Sequence, residues 1–175
     1  MPTLTLPDLL ALRTTWRDEG LRVILTNGVF DLIHAGHVGY LTQARALGDL
    51  LVVALNADAS TRAIKGPRRP IVPEADRAAL LTALRPVDYV TIFAEPTAEA
   101  LVAALRPEVY VKGGDYALGT SAAPDLARLP EGRVVAAYGG EIVLMPYAEG
   151  HSTSALIARI IACYPPASAD GGSSP

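Results

Sequence analysis

Two histidines flank a glycine in a short segment, His34-Ala35-Gly36-His37, and a helix is expected to begin near His37. The first N–H groups of a helix have no partner within it and lie at the positive end of its dipole, so an anion is stabilised there. Two imidazoles add donors at the same point, and Gly36 allows a phosphate to approach the backbone. The spacing also fits two metal ligands or ordinary turn residues, although no third Cys or His lies nearby to complete a zinc site.

The chain has only two lysines, and each precedes a glycine in a loop that follows an apolar run. Lys65 lies in a proline-bounded segment with two arginines, residues 64–70, where an ammonium can neutralise phosphate charge during group transfer. The alternative for that segment is a solvated basic loop. Lys112 opens the segment Lys112-Gly113-Gly114-Asp115, whose glycines allow a close backbone approach. Its alternative is a tight turn in which Lys112 pairs with Asp115.

Hydroxyl and carboxylate side chains add further candidates. Ser152, Thr153 and Ser154 open the last predicted helix, where they either cap its N–H groups or form a second anion site. Asp31 follows the first predicted strand, and it either binds hydroxyls of an acceptor or caps an Asx turn. Arg77, on a predicted helix, is expected to be an exposed residue or a structural ion-pair partner rather than a catalytic group.

The elements that must position these residues alternate between strand and helix. Five short apolar runs predict buried parallel strands: Arg22–Thr26, Leu50–Leu55, Asp88–Ile92, Glu108–Val111 and Glu141–Met145. Helical patterns cover Leu6–Glu19, His37–Leu47, Pro73–Leu84, Thr97–Leu105 with Thr97 as N-cap, and Ser152–Cys163. This order predicts a doubly wound α/β domain with a five-stranded parallel sheet, whose ligand binds at the carboxyl ends of the strands.

Composition limits the class of protein. The 175 residues have a mass of 18.4 kDa and fit one domain, divided here into an N-terminal helix (1–20), the main domain (21–163) and a flexible tail (164–175). Fifteen basic against eighteen acidic residues and 50% hydrophobic residues argue against disorder and against a nucleic-acid partner. No apolar run approaches the ~20 residues of a membrane span, so we expect a cytoplasmic protein without a membrane partner. The single cysteine, Cys163, excludes an internal disulfide.

The histidine segment resembles the H-x-G-H motif of the cytidylyltransferase-like nucleotidyltransferases. The resemblance is carried by residues 26–31 (Thr-Asn-Gly-Val-Phe-Asp) together with His34 and His37, and it extends over residues 22–162. Within that superfamily, the chain is most similar to the adenylyltransferase domain of ADP-heptose synthases. The segments that carry this second likeness are residues 34–41, 55–60, 65–71, 76–77, 112–116 and 138–141.

This resemblance implies a Rossmann-like enzyme that transfers AMP from ATP to D-glycero-β-D-manno-heptose 1-phosphate, releasing pyrophosphate. It implies Mg²⁺ accompanying the ATP, no metal site of the protein's own, and a homodimer. The implied catalytic residues are His34, His37 and Lys65. The implied nucleotide-binding residues are Thr26, Asn27, Gly28, Phe30, Gly36, Lys112, Gly113, Asp115, Ser152, Thr153 and Ser154. The expected substrate-binding residues are Asp31, Asn56, Asp58 and Lys65.

The chain departs from the family's patterns at a few positions. Glycerol-3-phosphate cytidylyltransferases have Arg-Thr-x-Gly before the last hydroxyl cluster, where this chain has Tyr147-Ala148-Glu149-Gly150. Val29 stands where ADP-heptose enzymes usually have Cys, and His151 stands where they have an aromatic or aliphatic residue. Two alternatives therefore stay open. The first is a cytidylyltransferase acting on glycerol 3-phosphate or a similar alcohol phosphate, and the second is a nucleotide-binding module without catalysis.

Overall fold

The computed structural model describes residues 3–113, 128–146, 150 and 152–164. Within these ranges, strands and helices alternate along the chain. The strands are β1 (Thr3–Leu4), β2 (Val23–Gly28), β3 (Leu50–Asn56), β4 (Tyr89–Phe93), β5 (Val109–Gly113) and β6 (Glu141–Met145). The helices are α1 (Leu6–Asp18), α2 (Ala35–Arg45), α3 (Asp58–Lys65), α4 (Glu74–Thr82), α5 (Glu99–Leu105), α6 (Pro130–Ala137) and α7 (Thr153–Cys163).

All strand pairs are parallel, and the strands follow the order β1-β4-β3-β2-β5-β6 across the sheet. From β2 the chain builds outward through β3 and β4 on one side, and then returns to place β5 and β6 on the other. The direction of winding therefore reverses between β2 and β5. The crevice outside the carboxyl ends at such a reversal is where open α/β sheets bind ligands.

The predicted α/β class and parallel sheet are confirmed, but the described sheet has six strands rather than five. The additional strand, β1, pairs Thr3 with Val90 and Leu4 with Thr91 at the edge of β4. A strand of two residues is too short to leave an apolar or alternating pattern in the sequence, and its pairing depends on a strand that lies far along the chain.

The core lies on both faces of the sheet. Successive residues of β2 point to opposite faces, so Leu25 packs beneath α1, α5 and α6 whereas Ile24 packs beneath α2 and α4. Both side chains are 0% exposed, and burial of each such side chain contributes about 1.5–3 kcal/mol. Helix α1 shares this core through Leu9 and Trp16. The sheet is thereby held rigidly enough to fix the loops at its edges.

Two helix starts differ from prediction. Helix α2 begins at Ala35, with His34 as its N-cap, two residues before the predicted start. Helix α5 has Ala98 rather than Thr97 as its N-cap, so that prediction is wrong. The Thr97 hydroxyl donates to the Glu99 carboxylate at 2.8 Å.

Helices α3 and α6 were not predicted. Helix α3 buries Ser60 and Thr61, so its buried face is polar and gives no apolar periodicity. Helix α6 contains Gly132, which lowers helix propensity, and buries Glu131 beside Val135. In the described ranges, no helix is both long and apolar enough to cross a bilayer.

Candidate active site

The carboxyl ends of β2 and β5 bring two predicted segments together. The register pairs Thr26 with Val111, and directly after this pair the Lys112 ammonium lies 2.7 Å from Oδ1 of Asn27. One side of this crevice is covered by α2, which carries the histidines, and the other by α6, which carries Glu131. The predicted site residues of both segments thus meet where the winding of the sheet reverses.

The two histidines lie on the first turn of α2, His34 as N-cap and His37 as the third helical residue. Their rings are stacked, with centroids 4.0 Å apart. The backbone N–H of His34 donates to Nδ1 of His37 at 3.4 Å, so that nitrogen carries no proton. The neutral His37 ring therefore holds its proton on Nε2 and can donate it to an anion. The free N–H groups of Ala35 and Gly36 lie on the same turn.

His37 is neutral at physiological pH. Burial, reinforced by the charge of His34, lowers the pKa of His37 to about 4. Part of that burial is provided by Phe30, whose ring centroid lies 5.4 Å from the imidazole. Phe30 has a φ of 46°, a left-handed conformation that is unusual for a bulky residue and that clusters at functional sites. A Cβ on Gly28 would lie 3.0 Å from the Phe30 ring, so glycine at this position leaves room for that ring.

Asn27 is held by two donors from β5. The Tyr110 hydroxyl donates to Oδ1 of Asn27 at 2.6 Å, and Lys112 Nζ donates to the same oxygen at 2.7 Å. With Oδ1 engaged in this way, the Nδ2 amide group of Asn27 is oriented as a donor. Burial lowers the pKa of Lys112, Glu131 partly opposes that change, and the charge of Lys65 adds to it. The predicted pairing of Lys112 with Asp115 is not tested, because residue 115 lies outside the described ranges.

Tyr40 joins α2 to the sheet. Its hydroxyl donates to the Val111 carbonyl at 3.2 Å and lies 2.6 Å from Oγ1 of Thr26. In the shorter contact, either hydroxyl can be the donor. A Cβ on Gly113 would lie 3.1 Å from the Tyr40 ring, so this glycine lets the helix approach β5. The contact fixes the first turn of α2 relative to the strands.

The sequence reasoning missed Tyr40 and Tyr110. Tyr40 lies three residues after His37, on the same face of α2, and Tyr110 lies two residues before Lys112, on the same face of β5. Both periodicities were visible in the sequence. The pairing of β2 with β5, which brings these two tyrosines to the site, was not visible in the sequence.

Lys65 is the last residue of α3 and is exposed. Its charge contributes to lowering the pKa of Lys112, so the ammonium groups of the two lysines act on the same region of the site. A second positive charge at this edge favours a multiply charged anion.

Asp31 is 2% exposed and its carboxylate is fully engaged. It accepts from the N–H groups of Ile71 and Val72 at 2.9 and 2.8 Å and from Arg69 Nε at 2.5 Å. Burial alone would raise the pKa of Asp31, but these backbone and guanidinium donors outweigh burial and hold it below the usual value. The carboxylate thereby ties the loop after β2 to the loop before α4.

Arg77 is 0% exposed and links three loops. It donates to the carbonyls of Val29, Asn56 and Val72 at 2.5, 2.9 and 2.9 Å, and to Oδ1 of Asp58 at 2.7 Å. The structural role predicted for Arg77 is the one observed. The Asn56 side chain is also buried and bonds Ser60 Oγ at 3.4 Å, so these two predicted substrate-binding residues, Asn56 and Asp58, are held by internal contacts.

The last hydroxyl cluster opens α7. Ser152 is the N-cap and accepts from the Ala155 N–H at 3.0 Å, while Thr153 and Ser154 occupy the first helical positions. Strand β6 ends at Met145, beside Gly113 of β5, so the chain leaves the sheet at the carboxyl edge before α7. Residues 147–149 and 151, which carry the departures at Tyr147 and His151, lie outside the described ranges.

The donor set available for a metal ion is sparse. Among the described residues, no three His, Cys, Asp or Glu side chains are grouped closely enough to hold one. Two carboxylates predicted to bind substrate, Asp31 and Asp58, are paired with Arg69 and Arg77.

The fold and this H-x-G-H turn define a nucleotidyltransferase-like α/β domain, and the chain belongs to the cytidylyltransferase-like family, whose model matches residues 25–159. It is 46% identical over 152 residues to the bifunctional protein HldE of Trichlorobacter lovleyi and 50% identical over 149 residues to that of Streptomyces coelicolor. Each alignment covers 85% of this chain, but only 28% and 30% of the respective relatives. The chain thus spans less than a third of the length of these proteins.

A solved structure shares the fold. The lipopolysaccharide core biosynthesis protein of Thermoplasma volcanium superposes with a TM-score of 0.57 at 29% identity, covering 75% of this chain and 100% of the other. The family and the parallel α/β architecture identified from the sequence are confirmed by these similarities.

Proposed function

We propose that this chain transfers AMP from ATP to D-glycero-β-D-manno-heptose 1-phosphate, giving ADP-heptose and pyrophosphate. The observation that carries the proposal is the stacked pair of His34 and His37 on the first turn of α2, at the reversal point that also holds Lys112. The identity of about half to HldE proteins supports the heptose phosphate as acceptor.

In the proposed reaction, an oxygen of the sugar 1-phosphate attacks the α-phosphorus of ATP. The bond from that phosphorus to the bridging oxygen breaks, and its electron pair leaves with pyrophosphate. The reaction forms no covalent enzyme intermediate, so the protein contributes positioning and charge stabilisation. Nε2–H of His37 and the free N–H groups of Ala35 and Gly36 donate to phosphoryl oxygens as their charge grows.

The remaining residues hold the two anions together. Lys65 and Lys112 neutralise the repulsion between the triphosphate and the acceptor phosphate. Asn27 donates from its oriented amide group, and Thr26, Gly28, Phe30 and Gly113 shape the nucleotide side. Asp31, Asn56 and Asp58 act on the acceptor side by holding its loops. Mg²⁺ enters as the counter-ion of ATP, held by phosphate oxygens, and supplies further charge neutralisation.

Three expectations belong to this proposal and stay predictions. Ser152, Thr153, Ser154 and Asp115 complete the nucleotide site, the enzyme acts in the cytoplasm, and it forms a homodimer. The exposed Ile160 and Ile161 on α7, 47% and 57% exposed, are consistent with an apolar contact between subunits.

The experiment measures pyrophosphate release with four nucleoside triphosphates against heptose, glycerol and ethanolamine phosphates. The proposal predicts release only when ATP and heptose 1-phosphate are combined. A preference for CTP with glycerol 3-phosphate would assign the chain to the alcohol-phosphate cytidylyltransferases. ATP binding without release for any acceptor would make it a nucleotide-binding module.

A further inference from the structure

A cavity of about 570 Å³ lies on the edge of the sheet opposite the histidines. Its walls come from the residues that precede β2, β5 and β6, together with the second half of α1, so it lies at the amino ends of those strands. Its charged lining residues are Arg13, Arg17, Arg22, Arg106, Glu108 and Glu141. The proposed reaction does not use this edge of the sheet.

The two carboxylates neutralise only half of the arginines. Glu108 pairs with Arg13 at 2.5 Å, and Glu141 pairs with Arg22 at 2.5 Å. Arg17 and Arg106 make no ion pair within the described part of the chain. The cavity therefore carries an excess of two positive charges in a chain whose net charge is −3.

Arg13 adds a buried donor to this lining. It is 3% exposed, and its Nε and Nη2 donate to the carbonyls of Leu105 and Arg106 at the end of α5, at 3.0 and 2.8 Å. Its Nη1 is buried and has no acceptor among the described residues. These contacts with the end of α5 hold the Arg13 guanidinium in the wall of the cavity.

The wall beside Arg106 is held in place. The Arg106 guanidinium lies 5.1 Å above the ring of Tyr138, whose hydroxyl donates to the Pro107 carbonyl at 2.9 Å. Burial and the nearby Glu108 raise the pKa of Tyr138 to about 12, so its ring stays neutral beneath the cation. Gly139 and Gly140, in the adjoining turn, also line the cavity. Because they have no side chains, a ligand can approach their backbone closely.

We propose that this cavity binds a small dianion of the phosphate class at the amino edge of the sheet, apart from the nucleotide site. Two uncompensated guanidiniums match the charge of a dianion, and the planar donors of arginine suit phosphate oxygens. The cavity is larger than a single phosphate ion requires, and its volume is within the range of small-molecule sites. The ligand is the phosphate group, supplied by the free ion or by an organic phosphate.

The test follows the backbone amide signals of Gly139 and Gly140 by NMR, using the whole chain. Inorganic phosphate and glycerol 3-phosphate are titrated separately while sodium chloride keeps the ionic strength constant. The variant is R17Q/R106Q, whose replaced side chains are exposed and make no ion pair with a described residue, and thermal unfolding followed by circular dichroism checks that it is folded. The control is R85Q, which removes one exposed guanidinium outside the cavity. The Gly36 amide reports phosphate binding at the histidine turn in the same spectra.

Saturable shifts at Gly139 and Gly140 are expected in the wild type and in R85Q. In R17Q/R106Q the Kd should rise about tenfold or more, the effect of losing a charge-assisted contact, while the Gly36 response is kept. Tighter binding of glycerol 3-phosphate supports an organic phosphate as ligand, and equal binding supports the free ion. Equal shifts in R17Q/R106Q, no saturation, or the same shifts with chloride alone would overturn the proposal.

Discussion

At the scale of single residues, burial sets the chemistry of the histidine turn. Nδ1 of His37 accepts from the His34 N–H, so the neutral His37 ring carries its proton on Nε2. Burial keeps this ring neutral, with a pKa of about 4. A neutral imidazole donates to a phosphate oxygen without bringing a charge that must be desolvated. The anion then favours protonation, so ligand binding and proton uptake are linked at this side chain.

We expect His37 to remain neutral from pH 8 down to pH 5 in the free protein, because its folded pKa of about 4 lies below the ordinary value of 6.5. Adding ATP should raise that pKa, since the triphosphate stabilises the imidazolium. Imidazole ¹⁵N shifts measure both the charge and the tautomer. In H34A the pKa of His37 should rise, because the substitution removes the charge of His34 and exposes more of the His37 ring. Titration near pH 6.5 in the free wild type, or a proton on Nδ1, would contradict this account.

Tyr110 is expected to act as a positioning residue through Asn27. The substitution Tyr110→Phe removes one of the two donors to Asn27 Oδ1 and keeps the buried ring. Loss of one neutral hydrogen bond costs about 1 kcal/mol, so KM for ATP should rise roughly fivefold with kcat little changed. Steady-state kinetics with Y89F as the matched control measure this, because Tyr89 opens β4 away from the site, with its ring centroid 4.9 Å from that of Trp16. An unchanged KM for ATP would show that Tyr110 does not position Asn27 for nucleotide binding.

At the scale of elements, charged side chains bond the loops after β2 and β3 to α4 and to the segment that precedes it. Arg77 of α4 bonds both loops, and Asp31 bonds the segment that leads into α4. These contacts are buried, so breaking one leaves several polar groups unpaired. The geometry of the site thus depends on the internal contacts of Arg77 and Asp31.

The substitution Arg77→Met tests this dependence. It leaves three carbonyls and the Asp58 carboxylate without their donor, which should lower the free energy of unfolding by about 3–5 kcal/mol and Tm by roughly 10 °C. Thermal unfolding followed by circular dichroism gives the result. R62M, an exposed arginine on α3, is the matched control and should change Tm by no more than about 2 °C. Equal effects of the two substitutions would show that the Arg77 contacts add nothing.

The strands were the most predictable elements, because apolar runs such as Leu50–Leu55 mark buried parallel strands whatever their partners. The histidine pair was also predictable, since spacing and a glycine suffice to place it on a helix start. The contacts of Asn27 were not, because Tyr110 and Lys112 lie 83 and 85 residues away and meet it only through the pairing of β2 with β5. For the same reason, the sequence left the role of Asp31 open between two alternatives.

At the scale of the whole molecule, the sheet separates two cationic edges. The carboxyl edge holds the histidines and both lysines, and the amino edge holds the four arginines of the cavity. The net charge of −3 reveals neither cationic edge, because it sums charges from parts of the surface that are separated in the fold. The weakly acidic composition excludes a generally basic surface, but it does not exclude local anion sites.

The central claim is that the histidine turn stabilises the transition state of AMP transfer. The most direct measurement is kcat for pyrophosphate release from ATP and heptose 1-phosphate in the wild type, H34A and H37A, with unfolding curves to show that each variant is folded. We expect each substitution to lower kcat by on the order of 10²-fold, and H37Q, whose amide still donates, to retain more activity than H37A. Folded H34A and H37A proteins that turn over at the wild-type rate would contradict the account.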